Sequence, residues 1–436
     1  MQLNRETSVR GALAALTAAL LGHTGAVAAD SGRTETSFLL YSESQRVTAG
    51  EGMFSYIKPL SERNLLHLNI QFDGLTGASP TGAAPSRGVQ TFTRPSGQAS
   101  FRVDPGQIPV DPNFHDTRLA VDGDITRTLN RLTSLNYGGH VSLESDYTSF
   151  GLTSGITRDL NRRNTTIGIS GSIAAEAARP KGGSHDPFSS VATSTGGGEG
   201  NGEGEFGGER EGAPAGYEPK TVYDLVLGVS QVVDRKTIIR LNYSVDHSSG
   251  HLNDPYKILS VVQSPSDADP GEPLDYVYEN RPSTRNKQAV YTELRRWIGG
   301  TVLDVSYRHF WDDWGVNSKT IDFFWQWPLG HDKTIEPHVR WYRQSQADFY
   351  RPFLVNGTPF PQYASADARL AKFDAYTYGL KYTLPIMEGS HLSATAEYYY
   401  QKGDSSPPEA FGSLRGLDLF PAVKALMLRI GYSHDL

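Results

Sequence analysis

The stretch Ile239-Arg240-Leu241-Asn242-Tyr243-Ser244-Val245-Asp246 alternates apolar and polar residues without a break. Odd positions are apolar, and even positions carry Arg240, Asn242, Ser244 and Asp246. A period of two is the signature of a strand with two unlike faces, because successive side chains point to opposite sides of the backbone. A helix period does not fit it.

The same reading extends outward. Leu303, Val305, Tyr307 and Trp311 oppose Asp304, Ser306 and Arg308, and Ile321, Phe323, Trp325 and Trp327 oppose Asp322 and Gln326. Leu66, Leu68, Ile70 and Phe72 alternate with His67, Asn69, Gln71 and Asp73. Near the C-terminus, Leu392, Ala394, Ala396, Tyr398 and Tyr400 oppose Ser393, Thr395, Glu397 and Gln401. Many of these runs reach ten or so residues, the length a tilted strand needs to cross a bilayer, whereas soluble strands average about five or six. Segments from 36–47 through 422–434 give about sixteen strands, an even number as closed bacterial barrels have.

Connection lengths sort by parity. Every second connection is a tight turn, as at Asn130-Arg131, Asn161-Arg162, Gly299-Gly300 and Glu388-Gly389. The long ones, 76–116, 177–218, 249–285, 347–370 and 403–421, all fall on the other side. A soluble sandwich has no reason to segregate its loops, but an outer-membrane barrel has short periplasmic turns and long external loops. The predicted fold is therefore all-β: a transmembrane antiparallel barrel over 29–436 with its polar faces turned inward. Arg240, Asp304, Arg308, Asp322, Glu336, Arg340, Glu397 and Arg429 are the predicted lumen-lining residues, with Asp374 on the same face. Trp297, Trp311, Trp314, Trp325 and Trp327 lie near strand ends and are the predicted aromatic girdle. Pro337, inside a strand, removes a ladder donor and is the expected site of a bulge.

Composition restricts the chemistry. The chain has 436 residues, no cysteine, 45 glycines and 22 tyrosines. Without cysteine, disulfides, zinc-thiolate sites and iron–sulfur clusters are excluded. A net charge of -7 opposes a nucleic-acid surface. Mean hydropathy is -0.43, and past the N-terminus no apolar run is long enough for a helical span. At the start, Arg5 and Arg10 precede an Ala/Leu-rich core from Gly11 to Val27, then Ala26-Val27-Ala28; this order is that of a signal peptide, 1–28.

No active site is legible. A GxSxG motif is absent, and His140, His309 and His338 fall in predicted strands without a recognisable partner. The Gly/Glu run from Gly196 to Gly212 lacks the spaced ligands of a calcium loop and reads as a flexible acidic loop. Trp311-Asp312-Asp313-Trp314 reads as girdle plus tight turn. No catalytic residue, cofactor or metal is expected, and the chain is read as not an enzyme.

Several segments resemble a family of uncharacterised bacterial outer-membrane proteins, the domain-of-unknown-function 3570 family. They include Asp73-Gly-Leu-Thr-Gly-Ala-Ser-Pro80, Gln90-Thr-Phe-Thr-Arg-Pro-Ser-Gly97, Leu252-Asn-Asp-Pro-Tyr-Lys257, Tyr278-Glu-Asn-Arg-Pro282 and Tyr307-Arg-His-Phe-Trp-Asp-Asp-Trp314. Ala347-Asp-Phe-Tyr350 and Tyr363-Ala-Ser-Ala-Asp367 complete the set. The resemblance implies an exported barrel and supplies no functional residues. Ile258, Leu259, Val261 and Val262 are unusually apolar for a loop in water, so one or both of the segments 79–97 and 252–262 are expected to fold into the lumen as a plug or constriction.

The expected function is a channel or transporter for small polar solutes in the bacterial outer membrane, the alternatives being a non-conducting scaffold or sleeve and, third, an outer-membrane hydrolase. The expected partners are outer-membrane lipid, lipopolysaccharide and the barrel-assembly machinery. Leu426, Leu428, Ile430 and Tyr432 on one face of the last strand resemble the signal that machinery reads, although the chain ends in Leu436 where an aromatic is usual.

Overall fold

A computed structural model describes residues 32–44, 46–77, 80–93, 100–110, 115–180, 183–191 and 217–436. The signal-peptide segment and the Gly196–Gly212 run lie outside these residues. The first eight barrel strands are β1 (Arg33–Glu43), β2 (Thr48–Ser61), β3 (Asn64–Thr76), β4 (His115–Asn130), β5 (Thr133–Glu144), β6 (Tyr147–Leu160), β7 (Thr165–Ala178) and β8 (Glu218–Asp234). The rest are β9 (Thr237–Gly250), β10 (Thr284–Ile298), β11 (Thr301–Asp312), β12 (Asn317–Gly330), β13 (Lys333–Gln344), β14 (Phe373–Met387), β15 (Ser390–Gly403) and β16 (Val423–Asp435). Each pairs antiparallel with the next, and β1 closes on β16 from Arg33↔Asp435 to Glu43↔Ala425. Closure removes every free sheet edge, so each strand of the wall has a hydrogen-bonded neighbour on both sides.

The alternation read from β9 holds in three dimensions. Ile239 and Leu241 are 40% and 51% exposed on the outer surface, while Arg240 between them is 4% exposed. The outer belt continues through Phe38, Phe72, Phe150, Leu152, Ile173 and Ile430. So wide an apolar surface is unstable against water and stable against hydrocarbon, since acyl chains cost it nothing. The polar partners of these residues face the interior.

Turn chemistry explains the tight side. Gly299 and Gly300 have φ of 56° and 97°, and His331 and Asp332 have 50° and 56°. Two consecutive left-handed residues make the hairpin turn whose twist matches that of its strands. Pro337 lies within an unshifted register on both sides, Phe324↔His338 and Trp327↔Ile335 towards β12 and Pro337↔Leu380 towards β14. The expected bulge is absent there; the irregularity between β12 and β13 falls at Pro328/Gly330, beside the turn.

On the other side the long loops form one body. Ile258–Val262 pairs with Pro273–Tyr278 and, in parallel, with Leu354–Val355, and Gln90–Thr93 pairs with Ser100–Val103. All five residues of Ile258–Val262 are buried. Around them pack Ala84, Phe353, Ala410 and Leu414 on one side and Ala83, Phe92, Phe101, Val191 and Tyr276 on the other. These residues come from all five long connections, so the loops share a hydrophobic core and constitute a lid.

Candidate functional site

The inner wall is the first part of the site. All eight predicted lumen residues fall on inward positions, because each shares its cross-strand row with a residue that does. They are not gathered in one place. Arg240 Nη1 donates to Glu293 Oε1 at 2.7 Å, both nearly fully buried, and Asp304 stands beside that pair. Asp322 and Glu397 clasp His338, at 3.2 Å to Nε2 and 2.7 Å to Nδ1, with the Phe324 ring stacked on the imidazole at 4.0 Å. Arg340 stays half-exposed at 3.9 Å from Asp322. Arg308 lies against the Phe310 ring, and Glu336 and Arg429 share one inward row through Lys381 and Thr395. Asp374 is a correction: it is on the outward row and pairs with Arg343 at 2.6 Å. Near the loop-side end of β14 the polar face has given way to interfacial charge.

The girdle expectation is partly overturned. Trp311, Trp325 and Trp327 are on outward rows, and Trp325 and Trp327 pack edge to face at 5.1 Å. Trp314 is only 4% exposed and belongs to the lid's core with Phe349 and Leu370. Its indole N–H donates to Thr284 O at 2.9 Å, and the Arg285 guanidinium covers its ring at 4.4 Å. Trp297 pairs with Val302 on an inward row at the turn-side rim, with Lys236 Nζ 4.9 Å from its ring. Sequence proximity to a strand end could not tell inward, outward and lid positions apart.

Sequence reading also missed the polar wall of β2 to β5. Ser55 Oγ lies 3.2 Å from His67 Nε2, and His67 Nδ1 lies 3.1 Å from Asp124 Oδ1. Asn136 Nδ2 donates to the other Asp124 oxygen at 2.8 Å. Next along the wall His140 Nδ1 meets Asp122 at 2.6 Å. The signal lay in the alternation of β3, where His67 is inward, but the partners come from strands 12 and 57 residues away in sequence.

The lid is the second part. Its centre holds a charge-balanced group, buried except for the partly exposed Arg369: Asp254, Glu279 and Asp367 with Lys257, Arg281 and Arg369. Arg281 Nη2 donates to Glu279 Oε2 at 2.9 Å and to Asp367 Oδ2 at 2.8 Å. Arg369 Nε donates to Asp367 Oδ2 at 2.8 Å, and its Nη2 to Asp254 Oδ2 at 2.5 Å. Lys257 Nζ donates to Pro80 O at 2.8 Å, tying in the first long loop. Burial raises the Glu279 pKa, with Arg281 opposing it, and burial lowers that of Lys257. Burial would raise Asp367 too, but Arg369, Lys257 and Arg281 outweigh it and hold its carboxyl well below the usual range.

The lid is seated on the wall. Ala289 and Phe310, inward on β10 and β11, pack with Trp314, Val316, Ala347 and Phe349. Inward Gln344 donates to Ala371 O at 2.6 Å, and the Tyr256 hydroxyl donates to Asp146. At that rim Asp116, Glu144 and Asp146 bring carboxylate oxygens within 4.8 Å of one another. Asp312 and Asp313 are turn acceptors, taking Val316 N at 2.8 Å and Asn286 N at 2.9 Å.

Comparison with solved structures returns outer-membrane proteins at low identity. A ferric enterobactin receptor (PfeA) mutant from Pseudomonas aeruginosa matches with TM-score 0.40 and 12% identity over 86% of this chain and 54% of that one. This chain therefore spans about half the length of that receptor. The CymD monoaromatic hydrocarbon channel matches with TM-score 0.40 and 7% identity, covering 94% of this chain and 89% of that one. Pseudomonas aeruginosa OccK2 (OpdF) matches with TM-score 0.40 and 7% identity, covering 93% and 98%. No curated protein matches the sequence. One family profile spans nearly the whole length, residues 10–434, and on that match the chain belongs to the family described as Protein of unknown function (DUF3570).

Proposed function

We propose that this chain is a barrel of the bacterial outer membrane that admits small polar solutes through a polar lumen gated by its loops. In this reading residues 1–28 direct export, and β16 is the strand offered to the assembly machinery. The outward rows meet lipid and, on the loop side, lipopolysaccharide. The observation that carries it is the inner wall: charges of both signs face one another across adjacent strands, as with Arg240, Glu293 and Asp304, which favours a hydrated path for polar solutes over an apolar one. The enclosed core of the lid favours a second reading, a barrel that stays shut and serves as a scaffold or as a sleeve for a periplasmic partner.

Single-channel recording in planar bilayers separates the two. The full chain is expected to conduct, and deletion of residues 252–262 is expected to raise conductance severalfold by removing Lys257 and the lid's central strand. A folded barrel silent in both forms would favour the scaffold, and equal conductance in both would overturn the gating role of the lid.

A further inference from the structure

We infer that the inner wall carries a serine-hydrolase site, with Ser55 as nucleophile, His67 as general base and Asp124 as its orienting carboxylate. The three stand on inward rows of adjacent strands, β2, β3 and β4, in the half of the wall nearer the turns and away from the lid. His67 is directly opposite Asp124, and Ser55 is diagonal to it. This is the geometry the chemistry needs: a nucleophile within reach of the base at 3.2 Å, and the base held at 3.1 Å by a third group through its other nitrogen. With the proton of neutral His67 on Nδ1, donated to Asp124, the Nε2 lone pair accepts from the Ser55 hydroxyl. Asn136 fixes the carboxylate in turn, so each member of the chain has a support.

Two comparisons within the wall single this site out. His140 has a carboxylate on Nδ1, but its buried Nε2 has no partner, and His338 has carboxylates on both nitrogens. Of these three histidines, only His67 joins a carboxylate to a hydroxyl. Beside Ser55, directly across the ladder, stands Asn69, whose buried Oδ1 has no hydrogen-bond partner. Amide oxygen and nitrogen are interchangeable by a flip, so Asn69 can turn an N–H towards an oxyanion formed at Ser55.

The reaction balances without a cofactor. Ser55 Oγ bonds to the ester carbonyl carbon while its proton passes to His67 Nε2. The carbon–alkoxy bond then breaks, and Nε2 returns that proton to the leaving oxygen. Water deacylates the serine by the same route, releasing the acid and restoring the hydroxyl. Met53 and Ile57 flank Ser55 on the inward row, and Leu65 precedes His67, so an otherwise polar wall has a small apolar patch here. Glu35 and Asp122 stand opposite Ser55 and Asn69, but Glu35 is paired with Arg33 at 2.8 Å and Asp122 is bonded to His140 at 2.6 Å, so neither charge is left to select an ion. The substrate class is therefore an uncharged ester with a short acyl group.

The test uses the purified, folded full chain with a fluorophosphonate probe and p-nitrophenyl butyrate. Probe attachment is expected at Ser55, located by peptide mass. Ester turnover is expected to fall about 10³-fold or more in Ser55→Ala and in His67→Gln. The pH profile of turnover is expected to report one ionising base, absent in His67→Gln. A folded wild type that neither takes the probe at Ser55 nor exceeds Ser55→Ala in turnover would overturn the inference. Conductance of the wild type, recorded from the same preparation, keeps this result separate from the channel reading, since either can fail while the other stands.

Discussion

Arg240→Ala is expected to destabilise the barrel by about 3–5 kcal/mol, because it leaves a buried anion without its cation. Glu293, 8% exposed, then keeps the Tyr291 hydroxyl, at 2.9 Å, and its hydrogen bond with Asp304, and has no cation in place of the 2.7 Å guanidinium contact. Replacing both charges, Arg240→Met with Glu293→Leu, is expected to recover most of the loss, since the cost lies in the orphaned charge more than in the absent pair. Urea unfolding in lipid vesicles, followed by tryptophan fluorescence, measures both. A single mutant as stable as wild type would show that water reaches Glu293 freely and that the wall is far wetter than its burial implies.

Asp367→Ala is expected to loosen the lid by a comparable amount while leaving the barrel intact. Asp367 is the anion that Arg281 and Arg369 share, and removing it leaves three cations, Lys257 among them, against Asp254 and Glu279. The expected readouts are rapid proteolysis within 251–283 and 345–372 and an increased open probability in bilayers. Acidification is expected to act differently. Asp367 has a lowered pKa, so its charge stabilises the lid above the ordinary carboxylate value of 3.8 and is lost only as pH falls through its depressed value. Glu279 has a raised pKa, so the lid gains rather than loses as that group takes up its proton on the way down towards 4.5. Lys257 has a pKa lowered by burial, so its cost to the lid sets in as pH falls below the ordinary lysine value of 10.5. The lid is thus expected to stay shut from neutral pH down to about pH 4. Opening between pH 6 and 4 would contradict the assignment of charges in the cluster.

The barrel was legible because its signal is local. Each strand states its two faces in its own eight to twelve residues, as in Ile239–Asp246, and parity of connection length supplied the topology. First-strand limits were the poorest: 36–47 was read, whereas β1 is Arg33–Glu43, since Tyr41, Val47 and Ala49 belong to one buried cluster across the β1–β2 connection and blur its end. The lid was legible only as an oddity. Ile258–Val262 is buried on both faces and so shows no alternation, and its partners lie on other loops. For the same reason Trp314 looked like a girdle residue, its aromatic character being visible and its neighbours Phe349 and Leu370 remote in sequence. The triad escaped for the opposite reason: His67 was placed on the right face, but Ser55 and Asp124 meet it only through register, which no single strand encodes.

The absence of cysteine makes the wall open to a direct measurement. Nitroxide labels on Leu241→Cys and Ser244→Cys in vesicles report their surroundings by collision with oxygen, which concentrates in acyl chains, and with a water-soluble nickel chelate. The label at 241 is expected to respond to oxygen and to resist nickel, and the label at 244 to show the reverse balance. Equal responses, or a preference for nickel at 241, would contradict a barrel whose apolar rows face lipid and whose polar rows enclose the interior.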